Sequence, residues 1–322
     1  MARTRVYRNG VLEAENFPVE DVSDYLADPA TVVWFDLCEP TAADLESIRE
    51  ELGLHELAVE DALAEYERPK LDHYKTHLFL AAYSVALDTV TGELATHEVA
   101  AFITKDALVT VRKDRGFDID DVVHRWDSTD VSAVTVGFLV YGLLDHVVDT
   151  HFEAVQSLDT EIEALEEQLF GDNPRDREVQ RRTFALRKSL VMLRRVVLPM
   201  REVVNTLLRR DLGLVDPELM PYYQDLYDHV LRATEWTESL RDLVTTIQET
   251  HLTVRGNRLS VITKQVTSWA AIIAVPTAVT GFYGQNVPYP GFGKVAGFWT
   301  STLIIVGMSA LLYVIFRRKE WL

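Results

Sequence analysis

The sequence predicts an α+β head, a long helical stalk and two C-terminal membrane-spanning helices. Three observations carry this reading. No Asp, Glu, Lys or Arg occurs from Gln265 to Gly293, nor from Val295 to Phe316. Each run is long enough to cross a hydrocarbon core of about 30 Å, which takes roughly 20 helical residues. Short β-rich runs are confined to the first third of the chain, and helical patterning takes over from about Asp118.

The elements follow in order. Thr31–Leu37 reads as a buried strand, and Cys38 after it as a small core residue. Thr41 is placed to N-cap a helix through Leu52, with acids in its first turn. Leu78–Ala86 and Glu98–Thr104 are strand-like, with Thr91-Gly92-Glu93 as their hairpin connection, and Ala107–Arg112 is a further strand. Val134–Ala154 is amphipathic, and Val155–Phe170 carries many acids at helical spacing. Gly171-Asp172-Asn173-Pro174 signals a turn. Arg177–Leu208 resumes a helix that Pro199 is expected to bend or break. Asp216-Pro217-Glu218 suits a helix start, with the regular part beginning there or at Pro221. From Tyr222 to Tyr283 the pattern allows one helix of roughly 90 Å. The expected division is 1–130 α/β head, 131–260 helical and stalk region, 261–284 first span, 285–296 loop, 297–317 second span and 318–322 basic tail.

Charge separates these parts. The 322 residues have a formal net charge of −18. Seven Lys/Arg and one acid follow Val254, so that end carries +6 and residues 1–254 carry −24. Such a head repels nucleic acid and attracts divalent cations. A single cysteine excludes an intrachain disulfide framework and suits a reducing compartment. No signal peptide is expected, and Arg255, Arg258, Lys264 and Arg317-Arg318-Lys319 place both span ends on the cytoplasmic side of the inner (plasma) membrane. No Walker loop, zinc-protease helix or dinucleotide glycine pattern is present, so enzymatic chemistry is not expected.

Two spans are too thin to enclose a watery path, so transport would require several copies around one axis. The first span is the better wall. Thr267, Ala270, Ala274, Thr277 and Gly281 share one face, which suits pore lining and helix packing equally. Tyr283-Gly284-Gln285-Asn286 follows at its non-cytoplasmic end, where neutral amide oxygens could hold a cation that keeps its waters, as Mg²⁺ does. Asp145, His146, Asp149 and His151 are a weaker zinc candidate, best read as a solvated helix surface.

The YGQN turn after Pro276-Thr277, between two terminal spans, resembles the CorA family of divalent metal ion transporters. Arg68-Pro69-Lys70-Leu71 after Glu60-Asp61, Tyr223–His229, Glu238–Asp242 and the Arg317–Leu322 end are similar to that family's head, stalk and C-terminus. The resemblance implies a funnel-shaped homopentamer in membrane lipid that passes Mg²⁺ inward, with Co²⁺, Ni²⁺ or Zn²⁺ as further cations. It implies a filter at Tyr283, Gly284, Gln285 and Asn286, and a pore face including Ser260, Thr263, Val266, Thr267, Ala274 and Thr277. Either Val266 carries most of the hydrophobic constriction or that constriction is weak. It further implies regulatory metal between subunits, on Asp225 from the stalk and Asp88 from the head, with Glu249 at a further acidic position. The family signature is G-M-N, so Gln285 leaves ion choice open, and a zinc-handling ZntB-like carrier or a non-conducting membrane-anchored metal sensor are the alternatives.

Overall fold

The computed structural model describes residues 2–64, 68–129, 134–170, 176–209, 212–285, 288–289 and 291–322. It divides into two units, Met1–Ile247 and Gln248–Leu322.

The first unit is built on a mixed seven-stranded sheet. Its strands are β1 Ala2–Arg8, β2 Val11–Glu15, β3 Thr31–Cys38, β4 Lys70–His73, β5 Leu78–Asp88, β6 Glu93–Ile103 and β7 Ala107–Arg112, in the order β2-β1-β3-β7-β6-β5-β4. Only β3 and β7 pair in parallel. The helices are α1 Val22–Leu26, α2 Ala42–Leu52, α3 Glu56–Leu63, α4 Ile119–Ser128, α5 Val136–Phe170, α6 Asp176–Leu207 and α7 Met220–Tyr283, the last continuing into the second unit.

Successive strand residues point to opposite faces, and here both faces are buried. Trp34, Leu78, Leu80, Ala82 and Leu108 join a core that includes residues of α4, α5 and the start of α7. Val33, Phe35, Phe79, Ala81 and Val109 join a second core with α1, α2 and α3. Two-sided burial explains why β5 reads as an unbroken apolar run rather than an alternation. A third core ties α5, α6 and α7 together through Leu158, Leu186, Leu193, Leu240 and Val244. Along α7 the buried positions are Tyr223, Leu226, Val230, Ala233, Thr237, Leu240, Val244 and Ile247, a strict three-four alternation that keeps one stripe on its neighbours.

Several of the polar groups inside are paired. The fully buried Asp36 accepts Arg112 Nη2 at 2.6 Å and the Thr110 hydroxyl at 2.8 Å, while Trp34 Nε1 donates to Thr110 Oγ1 at 3.1 Å. Tyr223 donates to the Gly137 carbonyl at 2.8 Å, and His151 Nε2 donates to the Tyr83 carbonyl at 2.8 Å.

The strands β3, β5 and β7 and the helix α2 lie where the sequence predicts them; helical structure begins at Ile119 as the patterning from about Asp118 suggests, and the stretches 134–154 and 155–170 join in the single helix α5. Thr41 caps α2 in a full capping box with Asp44. Several expectations change. The β1–β2 hairpin escapes the apolar pattern because β1 is rich in arginine, although Asn9 and Gly10, both with positive φ, are the turn pair that marks it. The short α3 and β4 are further additions. Strand β6 starts at Glu93, ahead of its expected start, because its first half, Glu93–His97, buries only Leu94 and so lacks an apolar run. Pro199 sits inside α6 without ending it. Asp216 opens only a turn, its carbonyl accepting Leu219 N and Met220 N, and regular helix begins at Met220. Cys38 is half-buried, not a core residue.

The second unit contains the rest of α7 and α8, Val295–Arg318. Both helices are long and apolar enough to span a membrane. Their large side chains face outward: Ile273 is 64% exposed and Leu303 75%. Helices clad this way require lipid or further protein around them.

Two outcomes follow. Arg112→Met strands a buried carboxylate and should lower unfolding free energy by about 3–5 kcal/mol in denaturant titrations, with Asp36→Asn/Arg112→Met recovering most of it. Burial lowers the pKa of His151 to about 4. The unfolded chain therefore takes up a proton that the folded one refuses. Stability should fall by up to about 3 kcal/mol as pH drops from roughly 6.5 to 4, and His151→Gln should flatten that slope.

Candidate functional site

The first candidate site lies on the C-terminal part of α7. Ser260, Thr263, Val266, Thr267, Ala274 and Thr277 are all exposed there, Val266 by 63%. At 3.6 residues per turn they occupy about 120° of the helix. The opposite side is covered: Ser268 is fully buried, and Ala271, Ile272, Val275, Pro276 and Val279 are half-buried. From Leu252 to Thr267 every residue of α7 is exposed, so burial sets the predicted face apart only around Ala274 and Thr277; in composition the face is mildly polar. Two of its hydroxyls fold back onto the helix, Thr263 donating to the Leu259 carbonyl at 2.8 Å and Thr277 to Ile273 at 3.2 Å. This satisfies the hydroxyls while leaving their lone pairs outward. Pro276 lies within the helix without ending it.

At the end of α7, Gly284 N donates to the Thr280 carbonyl at 2.9 Å, and a Cβ on Gly284 would lie 3.1 Å from that oxygen. Glycine here lets the last turn close tightly. Gln285 is exposed, with its amide 3.4 Å from the Phe282 carbonyl. Asn286 lies outside the described residues. Tyr283 packs edge-on against Tyr289 at 4.8 Å, and the Tyr289 hydroxyl donates to the Tyr283 carbonyl at 3.2 Å. Phe292 meets Tyr289 at 5.2 Å. Gly291 and Gly297 then touch backbone to backbone, since a Cβ on Gly297 would sit 2.5 Å from the Gly291 carbonyl oxygen. The aromatic lock was not anticipated from sequence; the closely spaced Tyr283, Tyr289 and Phe292 were its only signal.

The second candidate site involves the head acids. Asp88 ends β5 and holds the β5–β6 turn, accepting Val90 N at 2.8 Å, Thr91 N at 3.3 Å and the Thr91 hydroxyl at 2.8 Å. The Thr91 hydroxyl first, then the two amides, lower its pKa. The turn is pinned to α6 by Ser189, whose hydroxyl donates to the Gly92 carbonyl at 2.6 Å. Asp225 stands on the exposed side of α7, its side chain 69% exposed and 3.9 Å from His229 Nε2. Glu249 is also exposed, in the second unit. Among the described residues no three His, Cys, Asp or Glu come together within one chain as a metal site.

The acid-histidine group on α5 has a different explanation. Arg125 Nη1 lies 2.8 Å from Asp145 and 2.7 Å from Asp149, supplying the counter-charge a metal would have provided. Burial, then Asp149, still raise the pKa of Asp145. His146 is buried edge-on against Phe117, and His151 is used by Tyr83. No Lys or Arg occurs on α5, and that absence was the available clue that its acids need a base from another element.

Residues 29–318 match the family model of the CorA-like Mg²⁺ transporter protein. The chain is 28% identical over 324 residues to the cobalt/magnesium transport protein CorA of Thermotoga maritima, a match covering 98% of this chain and 92% of that one. In structure it resembles the complete CorA magnesium transporter of Methanocaldococcus jannaschii with a TM-score of 0.81 at 23% identity, over 100% of this chain and 99% of that one. It also resembles the ZntB cytoplasmic domain of Vibrio parahaemolyticus, with a TM-score of 0.59 at 13% identity, over 70% of this chain and 88% of that one. At these identities the structural likenesses speak for the fold, and the family model, which spans nearly the whole sequence, speaks for descent. The chain belongs to the CorA-like Mg²⁺ transporter family.

Proposed function

We propose that a homopentamer of this chain passes Mg²⁺ passively toward the cytosol through a pore lined by α7. The chain is a membrane transporter rather than an enzyme, and Co²⁺ falls within its cation class. The observation that carries the pore reading is the composition of the face from Ser260 to Thr277, which has hydroxyls and small side chains where a lipid-facing helix would carry bulk. Residues 261–284 form the first span, 285–296 the outer loop and 297–317 the second span.

The entrance filter is formed by the YGQN turn, with the Asn286 amide as the main acceptor. Neutral oxygens suit Mg²⁺, which gives up its waters reluctantly. The driving force is electrical: a divalent cation moving inward gains about 4.6 kcal/mol per 100 mV. Val266 is the large apolar side chain on the strip and the natural constriction.

Regulation uses Asp88 of one copy and Asp225 of the next, with Glu249 as a further acid. The turn hydrogen bonds keep Asp88 ionised and aimed. Without metal the apposed carboxylates repel; with Mg²⁺ between them they hold neighbouring heads together and the pore shut. Ni²⁺ and Zn²⁺ are competing candidates at both places.

In proteoliposomes, Asn286→Ala should cut Mg²⁺ flux by roughly tenfold or more while the oligomer elutes unchanged; undiminished flux removes Asn286 from the filter. Asp88→Asn and Asp225→Asn should leave the pore conducting at internal Mg²⁺ that silences the parent protein. Normal shut-off in both would assign the sensing to other groups, and competition by Co²⁺, Ni²⁺ and Zn²⁺ in the same assay ranks the cations.

A further inference from the structure

Within the first unit, helices α5 and α6 each bury one side and leave a regular stripe on the other. Helix α6 buries Val179, Leu186 and Leu193 in the core it shares with α5 and α7. Its far side advances in three- and four-residue steps through Arg177, Arg181, Phe184, Lys188 and Val191, all of them exposed. Phe184, Val191 and Leu198 recur there every seven residues, and so do Arg181, Lys188 and Arg195. This is the spacing of a helix seam that meets another helix. Phe184 is 71% exposed, and an apolar row of this kind marks an interaction surface. The stripe is also basic, in a head that is strongly acidic.

Helix α5 holds the complement. Its exposed stripe is Glu153, Gln156, Thr160, Glu163 and Glu167, at the same three- and four-residue steps, and α5 has no Lys or Arg. Arg177, Arg181, Lys188, Glu163 and Glu167 form no ion pair among the described residues. The ion pair of Arg182 with Glu161 joins the two helices and fixes which residues stand level. Because the helices run antiparallel, each step forward on α5 matches one step back on α6. Glu163 is thus level with Arg181, Glu167 with Arg177, Thr160 with Phe184 and Gln156 with Lys188, each to within one residue, or about 1.5 Å. Within one chain the members of each pair stand on separate outer faces.

A rotation about an axis along the hairpin changes no level. In a ring with such an axis, the α5 stripe of one copy meets the α6 stripe of the next antiparallel and in this same register. Bases then oppose acids at Arg177 and Arg181, and Phe184 meets the uncharged Thr160. The Thr160 hydroxyl already donates to the Gln156 carbonyl at 3.1 Å, so covering it strands no donor. Two different patches that match make a heterologous contact, the kind that closes into rings. We propose that the exposed face of α6 docks on the exposed face of α5 of a second copy, with Arg181 opposite Glu163 and Arg177 opposite Glu167. This docking rests on the homopentamer proposed above and adds to it a seam between adjacent hairpins.

The test is oxidative cross-linking of the full-length protein in nanodiscs, in a Cys38→Ala background, read on denaturing gels. Glu163→Cys/Arg181→Cys and Thr160→Cys/Phe184→Cys should each give a ladder from dimers up to pentamers. Glu153→Cys/Arg177→Cys uses the same stripes about 20 Å out of register and should stay monomeric. Adding Arg177→Glu/Arg181→Glu to the Thr160→Cys/Phe184→Cys protein should cut its cross-linking about threefold or more, and adding Glu163→Arg/Glu167→Arg as well should restore it. All these side chains are exposed, so thermal unfolding should not shift, which separates a lost seam from a lost fold. Links confined within one chain, an equal ladder from the out-of-register pair, or indifference to charge reversal would overturn the docking. Native mass spectrometry of the unlinked protein separates the two readings: a pentamer without a ladder overturns the docking alone, and a monomer overturns both.

Discussion

One seam of heptad spacing along α7 governs the molecule. It begins at Tyr223 and runs through Ile247 as the stripe that the helix buries in the head. The same count passes Val254, Arg258, Val261 and Gln265, all exposed, before it reaches Ser268, Ile272, Val275 and Val279, the covered side in the second unit. A single periodicity thus serves a water-soluble core and a membrane span, and the composition around it changes instead. Before Ile247 the outer face carries charge; from Gln265 to the end of the helix it carries none. Ala274 and Thr277 are open on the side opposite this covered stretch.

How much of this was legible in the sequence depends on distance along the chain. The two spans, the YGQN turn and the long helices were readable because apolar runs and 3.6-residue periodicity are local signals. The central strands were readable because burial on both faces makes them continuously apolar. The β1–β2 hairpin was not, since arginines such as Arg5 occupy β1, and Arg5 finds partners both in Glu15 across the hairpin and far along the chain. Arg5 pairs with Asp127 at 2.7 Å, a contact no local pattern announces. The face from Ser260 to Thr277 was expected from the family resemblance, and the covering of the helix side opposite its far end depends on folding. The Asp88 carboxylate was picked out by resemblance alone; its role in holding the β5–β6 turn is a property of the folded hairpin.

Acid placement follows a related logic. Carboxylates on α5 are neutralised by bases from other elements, Arg125 from α4 and Arg182 from α6. This separates two populations in a strongly anionic head. Asp145, Asp149 and Glu161 are consumed internally. Asp88 and Asp225 form no ion pair with Lys or Arg among the described residues; Asp88 is held by Val90 and Thr91, and Asp225 lies 3.9 Å from His229. Composition alone could not tell these groups apart, because both consist of the same residue types on exposed helices and turns.

The contact between Gly291 and Gly297 has a mechanical meaning. Two main chains meet there with no side chain as cushion, and Tyr289 fastens the preceding stretch to the end of α7. The ends of α7 and α8 are thus fastened at two described points. A twist of α8 would pass through these contacts to the end of α7, which makes α8 a crank on that end of the helix.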